Sequence, residues 1–300
     1  MNLPDLAELI ALRGLARSLS LHTHRPALAQ LQGGHRSAQR GRGLEFEEVR
    51  LYAAGDDARN IDWRVTARRG KMHTKLFREE RERPVWLVTD LHAGLFFGSK
   101  RQLKSALLVR AAAMLAWVAV QGGDRVGAII TNERSAPRIF QPRSREAGVL
   151  PILEYLIEMQ PQAPGVPQHS GLFTALSAVR PLLQPGCQVM LLSDFGGLDR
   201  AVEDLLTDIA VRSDCRLMWI TDPLECNGLP DGPHYLGVPG NVWHMDGAQT
   251  RSAWIKVWQR REQQLSNLAI RHKFPLSRLT TSDLVQEQLT TLLREPRWAA

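Results

Sequence analysis

Two aspartates close apolar runs of strand character. Val85-Trp86-Leu87-Val88-Thr89 ends at Asp90, and Cys187-Gln188-Val189-Met190-Leu191-Leu192 ends at Ser193-Asp194. His92 and Gly94 follow the first, and Ser170 lies in a loop ahead of the second. If the two runs are strands of one parallel sheet, both carboxylates reach the edge where ligands of open α/β sheets bind. Carboxylates at that edge can cap helices and bind loop amides, or form part of a rim that docks a partner.

A second concentration of chemistry lies upstream, between Gly41 and Gly70. Arg50, Asp56, Asp57, Arg59, Asp62, Arg64 and Arg68 alternate there with Tyr52, Ile61 and Trp63. Arginine forks take carboxylates bidentately, so an ion-pair lattice that shapes this region is expected, with direct partner contact as the alternative use. Asp56, Asp57 and Asp62 could also serve a metal-dependent hydrolase. Arg36, Arg40, Arg42, Arg59, Arg64, Arg68 and Arg69 could serve a nucleic-acid face. The charge is skewed toward this half: Met1 to Pro84 holds 16 Lys+Arg against 11 Asp+Glu, within a net +7 for the chain. His22 and His24 form a pair without a third ligand nearby. No P-loop, nucleophile elbow or H-E-x-x-H motif occurs. Cys187, Cys215 and Cys226 show no C-x-x-C spacing and predict neither a disulfide framework nor a zinc site.

The elements that must position these groups read as an α/β domain. After Pro84, buried strands alternate with helices, the pattern of a mostly parallel sheet covered on both faces. Strands are expected at 85–89, 125–131, 187–192 and 216–221, with 138–140 as a short antiparallel companion and 242–245 as an edge strand. Helices are expected at 100–121, 145–159, 171–180, 198–212, 252–272 and 282–293. The amino terminus reads as a short amphipathic helix without the apolar core of a signal peptide, followed by an arm from His22 to Arg40. The apolar stretch Ala111 to Val120 is too short to span a bilayer and should be a buried helix. Trp254 and Trp258 fall one helical turn apart, placed either to pack their helix onto the sheet or to form a contact face. Three parts follow: residues 1–40 as helix and arm, 41–84 as a charged β-rich region of short strands and turns, and 85–300 as the α/β domain with carboxyl-terminal helices. A cytoplasmic location is expected.

Two resemblances sharpen this reading. Strand, Asp90-Leu91-His92-Ala93-Gly94, long helix, Ser170, strand and Asp194 resemble a von Willebrand factor A domain. That family's metal-ion-dependent adhesion site uses D-x-S-x-S after the first strand, a Thr in a later loop and an Asp after the fourth strand. Here His92 and Gly94 stand where the serines belong and Ser170 replaces the Thr, so the resemblance implies a degenerate site: either Asp90, Ser170 and Asp194 offer hard oxygen donors to a weakly held Mg²⁺ with waters completing the octahedron, or the rim docks a partner without metal, and His92 suits a transition metal better than Mg²⁺. The run Gly41, Gly43, Glu45, Phe46, Arg50, Tyr52, Gly55, Asp56, Asp57, Arg59, Ile61, Asp62, Trp63, Thr66, Ala67 and Arg68 resembles the signature of the domain of unknown function 58 family over about Gly41 to Asp222. That resemblance implies a von Willebrand factor A-like fold, a MoxR-type AAA+ ATPase as partner, and a non-catalytic, adaptor or chaperone-like role.

Overall fold

A computed structural model describes residues 2–21, 44–53, 56–79, 82–132, 135–167, 170–238 and 240–294. The chain forms two compact units: Gly34–Glu82, and a larger one made of Met1–Gly33 with Arg83–Ala300.

The larger unit is built on a six-stranded sheet. Its strands are β3 (Pro84–Asp90), β4 (Arg125–Thr131), β5 (Arg138–Arg143), β6 (Gln188–Ser193), β7 (Asp214–Thr221) and β10 (Leu276–Thr280), in the order β10-β7-β6-β3-β4-β5. All neighbours are parallel except β4 and β5. β6 and β7 are buried at every position, as a strand covered on both faces requires. Alternation along β3 divides the core: Val85 and Leu87 face one apolar cluster, and Trp86 and Val88 the other. The first cluster is covered by α1 (Leu6–Ala16), α3 (Lys104–Gln121), α4 (Glu146–Met159) and α9 (Val285–Arg294). The second is covered by α5 (Ser170–Val179), α6 (Arg200–Arg212) and α8 (Gly247–His272).

The long apolar helix is the core element expected of it, although it begins at Lys104 rather than residue 100. From Leu103 to Ala119 every residue but Arg110 is buried. α1 belongs to the same core: Trp117 Nε1 donates to the Leu9 carbonyl at 2.9 Å, and Arg110 pairs with Glu8. The arm expected from residue 22 to 40 lies outside the described residues.

Two expectations change. Residues 242–245 do form a strand, β9 (Asn241–Asp246), but it pairs with β8 (Pro233–Val238) in a separate antiparallel hairpin. The sheet edge is taken by β10, which lies outside the expected strands. The hairpin carries Tyr235 and Trp243 largely in solvent.

In the smaller unit, β1 (Leu44–Leu51) and β2 (His73–Glu79) pair antiparallel with a register shift between Phe46 and Glu48. Between them lies a helix, α2 (Trp63–Arg69), where only strands and turns were expected. Asp62 caps its start by accepting from Arg64 N and Val65 N, and Gly70 ends it in the left-handed region at φ 69°.

Candidate functional site

The strand order reverses between β3 and β6. From β3 the chain runs to β4 on one side, and later from β6 to β7 on the other, which opens a crevice beyond the carboxyl ends of these strands. A cleft of about 330 Å³ sits there, lined among others by His92, Gly94, Lys104, Asp194, Glu225 and Arg261. Asp90 and Ser170 do not line it. Asp90 is 4% exposed and packed against Gly171, where an added Cβ would stand 2.1 Å from Asp90 Oδ1. Ser170 is exposed, and its carbonyl accepts from Thr174 Oγ1. The structure therefore brings His92, Gly94 and Asp194 together and leaves Asp90 and Ser170 aside.

The centre of the cleft is an ammonium. Lys104 Nζ donates to Asp194 Oδ2 and to Glu225 Oε1, each at 2.8 Å, with the lysine 1% exposed. Its position is otherwise unfavourable: it is the first residue of α3, where the helix dipole disfavours a cation, and it is fully desolvated. The two carboxylates are what hold it. Asp194 Oδ1 also accepts from Gly196 N at 2.9 Å and lies 3.3 Å from His92 Nε2 and 3.6 Å from Arg261 Nη2. Its carbonyl accepts from Arg261 at 2.6 Å and Trp219 Nε1 at 3.1 Å. The next residue, Phe195, is buried at φ 56°, a left-handed conformation costly for a large side chain and held by Phe195 N donating to Ser193 Oγ.

A third strand end joins this network. Asp222 caps the short helix α7 (Pro223–Asn227) in a capping box, its own N–H donating to Glu225 Oε2 at 2.9 Å. The Asp222 carboxylate accepts from Ser99 N at 2.8 Å, Leu224 N at 2.9 Å, Ser99 Oγ and Thr281 Oγ1. β6, β7, β10 and the start of α3 are thus tied at one edge.

Burial opposes ionisation of all three central groups, and their neighbours overcome it. Asp194 is held well below the usual carboxylate range because Lys104, His92 and Arg261 outweigh its desolvation. Lys104 is raised because Asp194 and Glu225 outweigh its own. Desolvation likewise works against the His92 cation, but the hydrogen bond and charge of Asp194, with Asp90 behind, raise its pKa above 6.5. A group raised in the folded state stabilises fully below its unfolded pKa and loses that contribution as pH rises. Wild-type melting temperature is expected to fall between about pH 6 and pH 8 more than that of His92→Gln, whose profile is flatter. Parallel profiles would mean that His92 does not contribute through its charge.

Gly94 has a steric reason. A Cβ there would meet the His92 ring at 3.0 Å and Pro167 Cβ at 3.1 Å. The residues proposed for Mg²⁺ do not fit that ion. Asp90 and Ser170 are not among the residues lining the cleft, and Asp194 is committed to a lysine.

In the signature region the ion pairs are local. Arg50 forks onto Asp56 at 2.9 and 2.7 Å, Ala53 N donates to Asp56 Oδ2, and Tyr52 donates to the Asp56 carbonyl. Asp57 takes Arg59, whose side chain is 90% exposed. Asp62 caps α2 and lies 3.7 Å from Lys75. All three aspartates are engaged with backbone amides and basic side chains rather than converging on one point. Trp63 is 67% exposed, and Arg68 is exposed with no ion pair among the described residues. Gly55 lies outside the described residues. Asp62→Ala is expected to lower the melting temperature by removing the cap, and Arg59→Ala to leave it unchanged. Equal losses would indicate a shared buried lattice.

Sequence reading missed Lys104, Glu225 and Arg261. The signals were a lysine opening a helix that is apolar apart from Ser105, Arg110 and its last residue Gln121, and the capping pattern Asp222-Pro223-Leu224-Glu225. Of the tryptophan pair, Trp258 is buried and stacks on Trp219 at 4.9 Å, while Trp254 Nε1 donates to the Glu225 carbonyl at 2.9 Å. Both pack α8 onto the domain.

Fold and site define an α/β protein with a mixed, mostly parallel sheet and a charged cleft at its topological switch point. Residues 48–262 match the family described as protein of unknown function DUF58, and the chain belongs to that family. Among curated proteins it is 34% identical over 216 residues to uncharacterized proteins of Mycobacterium bovis and Mycobacterium tuberculosis. The match covers 72% of this chain and 66% of those relatives, just under two thirds of their length. Among solved structures it is similar to the conserved hypothetical protein BatB of Bacteroides thetaiotaomicron, at 13% identity and TM-score 0.42 over 70% of this chain and 96% of that one. An aerotolerance-related membrane protein of Bacteroides fragilis is similar at 12% identity and TM-score 0.40, with the same coverage.

Proposed function

We propose that this chain is a non-catalytic protein-binding module of von Willebrand factor A-like design, serving as adaptor or chaperone-like partner of a MoxR-type AAA+ ATPase. Asp90 follows the first strand of the large unit and Asp194 the fourth, in neighbouring strands, which supports the fold reading. The observation that carries the functional reading is the cleft's closed charge network. Lys104, Asp194, Glu225 and Asp222 are hydrogen-bonded to one another, to backbone amides and to the hydroxyls of Ser99 and Thr281, an arrangement in which these carboxylates are engaged rather than poised as a base beside a nucleophile. A preformed rim of loops beyond the strand ends is suited to recognition. The ATPase itself is what the signature's resemblance implies. A cytoplasmic setting is supported by Cys187, Cys215 and Cys226 all being free thiols. Gel filtration of the purified chain with a MoxR-type ATPase tests the reading: co-elution is expected, and separate elution at micromolar concentrations of both would contradict it.

A second reading, nucleic-acid binding, is favoured by one observation. Whereas Arg50 and Arg59 are paired with acids, Arg64, Arg68, Arg69 and Lys71 are exposed, as is Trp63, and make no ion pair among the described residues. Arg36, Arg40 and Arg42 lie outside the described residues. Phosphate contacts by such a face would give affinity that falls steeply with salt. Fluorescence anisotropy with single- and double-stranded oligonucleotides separates the readings: binding near physiological salt, lost on Arg68→Glu with Arg69→Glu, would favour nucleic acid.

A further inference from the structure

We infer that Lys104 is a resident cation that takes the place of a metal, so that the cleft keeps its charge balance without any divalent ion. The expectation of a metal here rests on the von Willebrand factor A-like reading. The position of the ammonium rests on geometry alone.

Four observations converge. Nζ sits 2.8 Å from a carboxylate oxygen of Asp194 and 2.8 Å from one of Glu225. Those are ammonium–carboxylate distances, whereas Mg²⁺ draws oxygens to about 2.0–2.1 Å and Ca²⁺ to about 2.3–2.6 Å. The lysine stem is buried through the core while its head lines the cleft, so the cation is anchored by four methylenes and cannot exchange. His92 and Arg261 stand beside the same Asp194 carboxylate, so a second cation would have to displace groups already seated on it. Asp90, which would have to ligate a metal here, lies outside the cleft against Gly171.

The exchange has a functional consequence. A bound metal keeps open positions that a partner's oxygen can fill. An ammonium donates three hydrogen bonds and accepts none, and two of the three are already spent inside the protein. Docking at this cleft therefore proceeds without a divalent ion and depends on the shape of the rim.

The experiment uses the full chain. In the wild type, 10 mM EDTA, Mg²⁺, Mn²⁺ or Ca²⁺ are each expected to shift the melting temperature by less than about 1 °C, and Mn²⁺ titration to show no saturable binding below about 1 mM. Lys104→Met removes the charge with little loss of volume and is expected to lower the melting temperature by about 6 °C or more. Lys104→Ala leaves a channel into which n-butylammonium fits, and 50 mM of that ion is expected to restore part of the loss where NaCl or MgCl₂ of equal ionic strength does not. Saturable Mn²⁺ binding by the wild type that Asp194→Asn abolishes would overturn the inference whether or not the variants fold. So would a Lys104→Met protein as stable as the wild type, or restoration of Lys104→Ala by Mg²⁺ rather than by the ammonium. Failure of the ATPase to co-elute would instead overturn the proposed function and leave this inference intact.

Discussion

Asp194→Ala is expected to destabilise the protein by about 3–5 kcal/mol, the cost of stranding one member of a buried ion pair. Lys104 would keep only Glu225, and Arg261 and His92 would lose their shared anion. Asp194 is 7% exposed and also organises the turn that carries the left-handed Phe195, so stability and docking are coupled at this residue. Asp194→Asn should lose less, because an amide oxygen can still accept from Gly196 N. The wild type carries a matching acid sensitivity. Since Asp194 is depressed in the folded state, its stabilisation is present above 3.8 and lost as pH falls below that value. Urea unfolding of the two variants at neutral pH checks the prediction, and a loss below about 1 kcal/mol for the alanine would place Asp194 outside the network.

Trp258→Ala is expected to cost about 3–5 kcal/mol, as large-to-small changes of buried aromatics do. The indole is stacked on Trp219 with planes 8° apart, and Arg278 lies over both rings at 4.8 and 5.7 Å. This stack fastens α8 and the edge strand β10 to β7 and the second core cluster. Trp254→Ala, which loses a hydrogen bond and a partly exposed ring, should cost clearly less. Chemical denaturation decides the point: near-equal small losses would show that α8 is held by other contacts.

Much of this architecture is legible in residue order because its strands are buried on both faces. Gln188 to Ser193 and Asp214 to Thr221 are buried at every position, so Val189 to Leu192 and Leu217 to Ile220 read as apolar runs with Asp194 and Asp222 just beyond them. β10 escapes that test because its buried and accessible positions alternate over five residues, Leu276 to Thr280. The β8–β9 hairpin escapes it because its residues are mostly in solvent and its partner is local. α2 is hidden by charge: Arg64, Arg68 and Arg69 mask about two turns of helix whose signals are Asp62 before it and Gly70 after it.

The site was half legible for a similar reason. Position along a strand predicts where Asp90 and Asp194 emerge. It cannot tell that Gly171 closes over the first and that a lysine 90 residues before the second points at it. A lysine opening an apolar helix reads as an exposed end, and only the tertiary arrangement reveals that two carboxylates wait for it. Arg50 and Asp56 show the reverse case, in which six residues of separation suffice for a fork-on-carboxylate pair.

The central claim, that the rim of the cleft docks a MoxR-type ATPase, is tested most directly by measuring affinity after changing an exposed rim residue that supports nothing inside. Val166 lies in the loop with Gly165 and Pro167 at the cleft and is 66% exposed. Val166→Asp is expected to leave the melting temperature unchanged and to weaken the ATPase complex at least about tenfold in Kd, or about 1.4 kcal/mol. Wild-type affinity in Val166→Asp, with loss of binding in Arg64→Glu with Arg68→Glu instead, would contradict it and move the interface to the signature helix.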